Sequence, residues 1–217
     1  MTDGPARVKP RLRGLLHLYA FIAALPALSV LLLVSRTGRA AFAAMIYGLS
    51  LVALFGVSAL FHRVTWSHRA RRWMGRLDHA MINVLIAGTF MPFGLLVLSP
   101  TLATVLLAVV WGGALAALLL HVLWIDAPKW LSALVYLVLG WSGIAALPEL
   151  VAYVGWGPTA LLALGGALYS AGATVYTLRR PDPVPAVFGY HEVFHALVIA
   201  AALSHYAVVA LYVLPHA

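Results

Sequence analysis

Seven apolar runs, each close to the length needed to cross a hydrocarbon core, constrain this chain more than any other feature. They cover roughly residues 15–34, 40–62, 78–98, 101–123, 130–148, 158–178 and 189–214. A bilayer core takes about 20 helical residues to cross. The breaks are short and carry turn chemistry: Arg36-Thr37-Gly38-Arg39, Ser99-Pro100, Gly155-Trp156-Gly157-Pro158, and a last loop punctuated by Pro181, Pro183 and Pro185. No period-two alternation persists through successive runs, which argues against a β-barrel. In lipid every backbone N–H and C=O must be satisfied within the span, so the runs are expected to be helices. The expectation is an all-α integral membrane protein with seven transmembrane helices. It forms a single domain over 1–217, with residues 1–14 as a basic cytoplasmic segment.

Composition excludes the alternatives. The chain is 64% hydrophobic and 9% charged, whereas a soluble domain is about half apolar and about a quarter charged. It lacks the polar groups to cover a soluble globule. A soluble enzyme, a disordered tail and a nucleic-acid-binding domain are therefore excluded. The net charge of +8 comes from 14 basic residues scattered among apolar runs, which form no basic face for a nucleic acid. Cysteine is absent, so neither disulfides nor thiolate metal sites are possible.

Charge placement sets the expected orientation. With the N-terminus inside, the inside segments hold Arg7, Lys9, Arg11, Arg13, Arg63, Arg69, Arg71, Arg72, Arg76, Lys129, Arg179 and Arg180. Only Arg36 and Arg39 lie outside. That asymmetry follows the positive-inside rule, so the N-terminus is expected inside and the C-terminus outside. The first run is too long for the apolar region of a leader and is expected to be a retained helix. The expected location is the plasma (cytoplasmic) membrane, as a multi-pass protein with membrane lipids as its partners. The arginines between 63 and 76 suit anionic headgroups. Nothing in the sequence points to a protein partner. Gly112-Gly113, Gly165, Gly166, Ser170 and Gly172-Ala173 form small-residue faces for close helix packing.

Ionisable side chains inside a membrane are expensive, and each is a functional hypothesis. Those singled out within or bordering the runs are His62, Asp78, His79, His121, His191, Glu192, His195 and His205, with Ser58 added for its position. His62 closes the second run and Asp78 opens the third, on either side of the arginine-rich segment. His191 and His195 lie in the first turns of the seventh. At 1.5 Å per residue all four fall in one layer near the cytoplasmic face. His191 and His195 are i and i+4 and share a helix face, as do Ser58 and His62. Three imidazoles with an open fourth position are typical of a catalytic zinc, although imidazole also suits copper, iron or nickel. Asp78 can hold a water at the metal or orient a ligand histidine, and Ser58 can donate to that water or to a carbonyl. His79, His121 and His205 are expected to bond helix neighbours, and His68 and His216 to be solvated. His191-Glu192-Val193-Phe194-His195 also matches H-E-x-x-H, in which the glutamate is a protease base. No obvious third-ligand segment of an intramembrane metalloprotease accompanies it, and the role of Glu192 stays open.

Ser58-Ala59-Leu60-Phe61-His62, Leu77-Asp78-His79 leading into Leu85–Phe93, and Gly189-Tyr190-His191-Glu192-Val193-Phe194-His195 together resemble the hemolysin III family. That family belongs to the progestin and adipoQ receptor group, which includes the adiponectin receptors. The likeness runs from the first span to the last. It implies seven helices with the N-terminus inside, and a zinc held by His62, His191 and His195 with Asp78 and Ser58 beside it. In the wider superfamily, which takes in alkaline ceramidases, such a site is associated with hydrolysis of lipid amides. The long cytoplasmic extension of the adiponectin receptors is missing, which argues against a hormone-receptor role. The expected function is a zinc-dependent, ceramidase-like lipid amidohydrolase, with Asp78 as general base and Ser58 stabilising the oxyanion. The alternative is a sensor or cytolysin whose zinc is structural.

Overall fold

A computed structural model of the chain describes residues 10–123 and 129–217, with the side chains of 121–129 outside the description. The described residues are helical apart from turns and one isolated bridge between Val184 and Phe188. The helices are α1 (Leu15–Val34), α2 (Gly38–Arg63), α3 (His68–Leu96), α4 (Pro100–Leu123), α5 (Lys129–Trp141), α6 (Leu147–Val154), α7 (Trp156–Leu178) and α8 (Tyr190–Val208). Among the described residues, seven helical segments are long and apolar enough to span a membrane. The protein is therefore a multi-pass integral membrane protein. His121, one of the intramembrane histidines, lies outside the described side chains, and Arg7 and Lys9 lie outside the described residues.

Local signals set the helix ends. The Thr37 hydroxyl accepts from the Ala40 N–H at 3.1 Å and starts α2. Ser67 accepts from the Ala70 N–H at 3.4 Å and starts α3. That cap carries α3 ten residues beyond the apolar run, so Arg69, Arg71, Arg72 and Arg76 lie on helix and not in a loop. Asp78 consequently lies nearly three turns inside α3, where sequence placed it at the opening. Apolarity marks only the part of a helix in lipid, whereas a cap extends the helix into the polar zone. Arg71 and Arg76 cover the rings of Phe61 and Trp73 there, at 5.2 and 4.3 Å.

The fifth span is broken. A 3-10 segment, Ser142–Ala146, joins α5 to α6, and the whole span reaches from Trp130 to Val154, past the expected end at 148. Pro148 lacks an N–H, and its ring conflicts with a carbonyl one turn back, so it favours the first turn of a new helix. The broken span is tied to the α3–α4 turn by Glu149. Its carboxylate accepts from the Ser99 N–H at 2.6 Å and from the Ser99 hydroxyl at 2.8 Å.

The core lies mainly between α2, α3 and α8, where Tyr47, Leu51, Leu54, Leu85, Val198 and Ala202 are buried. Large apolar side chains such as Leu33 and Trp156 face outward, at 84% and 73% exposure, as a lipid-facing surface requires. Gly165 brings α7 against α8: a Cβ at 165 would collide with the His205 ring. Thr89, Thr104, Thr159, Ser170, Thr174, Thr177 and Ser204 each donate to the carbonyl four residues back. These hydroxyls are thereby satisfied without water.

Candidate metal centre

Four helix ends meet at one end of the bundle. Pro10–Gly14 leads into α1 and lies along the loop before α8: the Arg11 N–H donates to the Ala186 carbonyl at 3.0 Å and the Leu12 N–H to Val187 at 3.2 Å. Gly14 then turns the chain into α1 with φ +78. A Cβ at this position would lie 2.5 Å from the His62 Cβ. Glycine is needed there twice, for the left-handed backbone and for the approach of α1 to the end of α2.

Within this junction His62, His191 and His195 form a cluster whose donor atoms all lie within 4.8 Å of one another. His62 Nε2 and His191 Nε2 are 3.1 Å apart. The ring centroids are 4.7 Å apart for His62–His191, 4.5 Å for His191–His195 and 5.2 Å for His62–His195. All three side chains are buried. Tetrahedral ligands at Zn–N distances of about 2.0–2.1 Å have nitrogens roughly 3.3 Å apart. The donor set and spacing therefore fit one metal ion held by three imidazoles. Sequence grouped these residues by depth along their helices, and the structure brings the same three side chains together.

Asp78 stands beside the cluster, its Oδ2 3.7 Å from His62 Nε2. Its side chain is 15% exposed, towards the cavity it helps to line. Ser58 is buried and lies close to the Asp78 carboxylate. This sets it apart from the Ser and Thr residues that bond their own helices. His79 is taken up by α3 and α7: its Nδ1 is 2.6 Å from the Gly75 carbonyl and its Nε2 is 3.0 Å from Tyr176 Oη. His205 Nε2 donates to the Leu162 carbonyl at 3.1 Å. His68 and His216 are exposed, as expected.

Glu192 has a structural task. Its Oε2 accepts from the Gly189 N–H at 2.9 Å, while its own N–H donates to the Gly189 carbonyl at 3.1 Å. These reciprocal bonds close the first turn of α8. Its Oε1 lies 2.6 Å from Arg13 Nε as a close ionic contact, without the alignment of a hydrogen bond. The H-E-x-x-H pattern thus supplies two metal-competent histidines and, between them, a capping glutamate paired with Arg13.

One residue was missed by the sequence argument. His17, in the first turn of α1, is 2% exposed, and its ring stacks on His195 at 3.7 Å with an interplanar angle of 6°. The signal was present: His17 lies two residues into the first run, at the depth that the same arithmetic gives His62 and His191.

A cavity of about 1010 Å³ opens from this cluster into the bundle. Arg13, His17, Ser58, Asp78 and the three histidines line one end. Apolar side chains such as Leu85, Phe93, Leu150 and Leu162 line its length, with His205 among its further lining residues. His195 and His205 are ten residues apart on α8, so the cavity extends roughly 15 Å along that helix.

Comparison with known proteins places the chain. The family model described as "Haemolysin-III related" matches residues 6–206. The chain belongs to that family. It is 31% identical over 204 residues to Hemolysin-3 of Bacillus cereus, covering 93% of this chain and 90% of that protein. It is 34% identical over 167 residues to the Hemolysin-3 homolog of Bacillus subtilis (strain 168), covering 77% and 75%. A plant relative, heptahelical transmembrane protein ADIPOR2 of Oryza sativa subsp. japonica, is 32% identical over 183 residues, covering 76% and 79%. The likeness to adiponectin-receptor-like heptahelical proteins read from the motifs is thus borne out, and all five site positions lie within the family match.

Proposed function

We propose that this haemolysin-III-related protein is a membrane-embedded, zinc-dependent hydrolase that cleaves an amide or ester bond of a lipid. The observation that carries the reading is a buried three-histidine cluster with a carboxylate 3.7 Å away, at the head of a long, mainly apolar cavity. The histidine end would face the cytoplasm and the membrane would be the plasma membrane. Arg11, Arg13, Arg63, Arg69, Arg71, Arg72, Arg76, Arg179 and Arg180 gather at the helix ends and loops on that side, while Arg36 lies in the α1–α2 turn and Arg39 in the first turn of α2. This distribution supports the orientation by the positive-inside rule.

His62, His191 and His195 would hold the ion, which supplies Lewis-acid polarisation of the acyl carbonyl and lowers the pKa of water. Asp78 Oδ2 takes the proton of the attacking water as its oxygen bonds the carbonyl carbon. The same carboxyl then returns that proton to the departing amine or alcohol as the C–N or C–O bond breaks. Ser58 Oγ–H, close to Asp78, donates to the oxyanion that develops. The apolar cavity walls hold the acyl chain and keep bulk water from the reacting carbonyl. Glu192 takes no part, because its carboxylate is committed to the α8 cap and Arg13.

The test is hydrolysis of a lipid amide and ester panel by purified protein, comparing wild type with His191→Ala, Asp78→Ala and Glu192→Gln. The reading requires turnover by wild type, its loss in the first two variants, and its retention in a folded Glu192→Gln protein. Asp78→Ala protein that keeps metal and hydrolyses as well as wild type removes the assigned base. A second reading takes support from the bacterial relatives named Hemolysin-3. In it the ion only staples α2 to α8 in a cytolysin or sensor. Lysis of erythrocytes by wild type, with no turnover of any lipid, would favour that reading.

A further inference from the structure

The feature that the proposed chemistry leaves unused is His17. Both of its ring nitrogens are buried, and neither makes a hydrogen bond of ordinary geometry; only a His195 backbone group approaches the ring. A buried polar atom left unpaired carries the full cost of its lost hydration. Packing does not explain that cost. The ring stacks on His195 at 3.7 Å and meets the Phe55 ring edge at 5.2 Å. A phenylalanine could make both contacts with no polar atom to bury.

The other polar groups at this end are engaged. Arg13 pairs with Glu192, Asp182 accepts from the Tyr190 N–H at 2.8 Å, His79 bonds Gly75 and Tyr176, and Ser58 lies close to the Asp78 carboxylate. Among the described cavity-lining residues, His17 is the one whose polar side-chain atoms are all buried without a hydrogen bond of ordinary geometry. It lies outside the trio whose donor atoms converge within 4.8 Å, so its nitrogens are not needed for the ion.

We propose that His17 is a ligand-binding residue: its imidazole hydrogen-bonds the uncharged polar headgroup of the acyl lipid whose chain fills the cavity. A neutral imidazole offers one donor and one acceptor. The matching headgroup also carries both, as an amide bearing a nearby hydroxyl does. This assignment deepens the hydrolase reading and rests on it for the class of ligand. It excludes simple alkyl esters, which can only accept, as the preferred occupants. Stacking on His195 holds the His17 ring beside the metal centre, so the anchored headgroup lies next to the bond to be cleaved.

Binding, and not turnover, tests this. Metal-stripped full-length protein in detergent is titrated with palmitoylethanolamide, methyl palmitate and hexadecane. The expected result is that wild type prefers palmitoylethanolamide, and that His17→Phe, which keeps the stacking, weakens it tenfold or more. Hexadecane affinity stays unchanged, and His17→Asn, which restores a donor and an acceptor, recovers part of the loss. Zinc content after reloading is expected to equal that of wild type in all variants. Equal palmitoylethanolamide affinity in wild type and His17→Phe overturns the proposal. So does an equal loss for hexadecane, loss of zinc from His17→Phe, or failure of wild type to bind palmitoylethanolamide. If His17→Phe does not fold, His17→Asn must still bind palmitoylethanolamide more tightly than His17→Leu, and equality of that pair refutes the assignment. Wild type that binds through His17 but cleaves no lipid would refute the hydrolase reading alone.

Discussion

Removing Glu192 should destabilise the protein without touching the metal. Its side chain is 1% exposed, with one oxygen on the Gly189 N–H at 2.9 Å and the other 2.6 Å from Arg13 Nε. Loss of a cap costs about 1 kcal/mol. Removing one partner of a buried ion pair costs about 3–5 kcal/mol. Arg13 is 20% exposed and can recover some hydration, which places Glu192→Ala near the lower end, roughly 4 kcal/mol with the cap included. Glu192→Gln keeps an acceptor for Gly189 and loses only the charge, so it should cost about 2 kcal/mol. Arg13→Ala strands a carboxylate that has no access to water and should cost at least as much as Glu192→Gln. The double variant should cost less than the sum of its singles by more than about 1 kcal/mol. Equilibrium unfolding in detergent, followed by tryptophan fluorescence, measures all four. Additive singles, or a Glu192→Ala cost below about 1 kcal/mol, would refute the buried pair. Loss of zinc from folded Glu192→Gln would refute the separation of Glu192 from the metal site.

Other predictions follow from the same geometry. Gly14→Ala should destabilise the protein and lower zinc affinity, because a Cβ there meets the His62 Cβ at 2.5 Å and the backbone has φ +78. A melting temperature and zinc affinity equal to wild type would contradict the contact. Chelation should lower the melting temperature of wild type, because an ion bound only to the folded state stabilises it. The same chelator should leave His62→Ala unmoved, and an equal shift in both proteins would place the stabilising ion elsewhere. Gly165→Leu should disrupt the α7–α8 contact at His205, with a loss of stability of about 1–3 kcal/mol from overpacking. Unchanged unfolding of this variant would show that the two helices are not in contact there.

Much of the architecture was legible because lipid makes hydropathy a direct reporter of span. The seven runs and the shared depth of His62, His191 and His195 needed only helix rise and loop order. What sequence misplaced followed from other forces. The start of α3 is set by the Ser67 cap and not by apolarity, so Asp78 lies deeper in its helix than the hydropathy boundary placed it. The fifth span continues beyond Pro148 because a proline that ends one helix can begin the next. His17 was hidden by its apolar neighbours, and only the packing of α1 against α8 gives it a role. The role of Glu192 could not be read from H-E-x-x-H, because its partner Arg13 lies 179 positions earlier in the chain.

A metal ion shared by α2 and α8 is the centre of the proposed chemistry. Anomalous diffraction from crystals of protein purified with zinc, recorded on both sides of the zinc edge, tests this directly. One strong peak is expected among His62, His191 and His195, about 2.0–2.1 Å from one nitrogen of each, and no such peak in His191→Ala crystals. A zinc peak coordinated elsewhere, or none in zinc-replete wild-type crystals, would contradict the shared metal site.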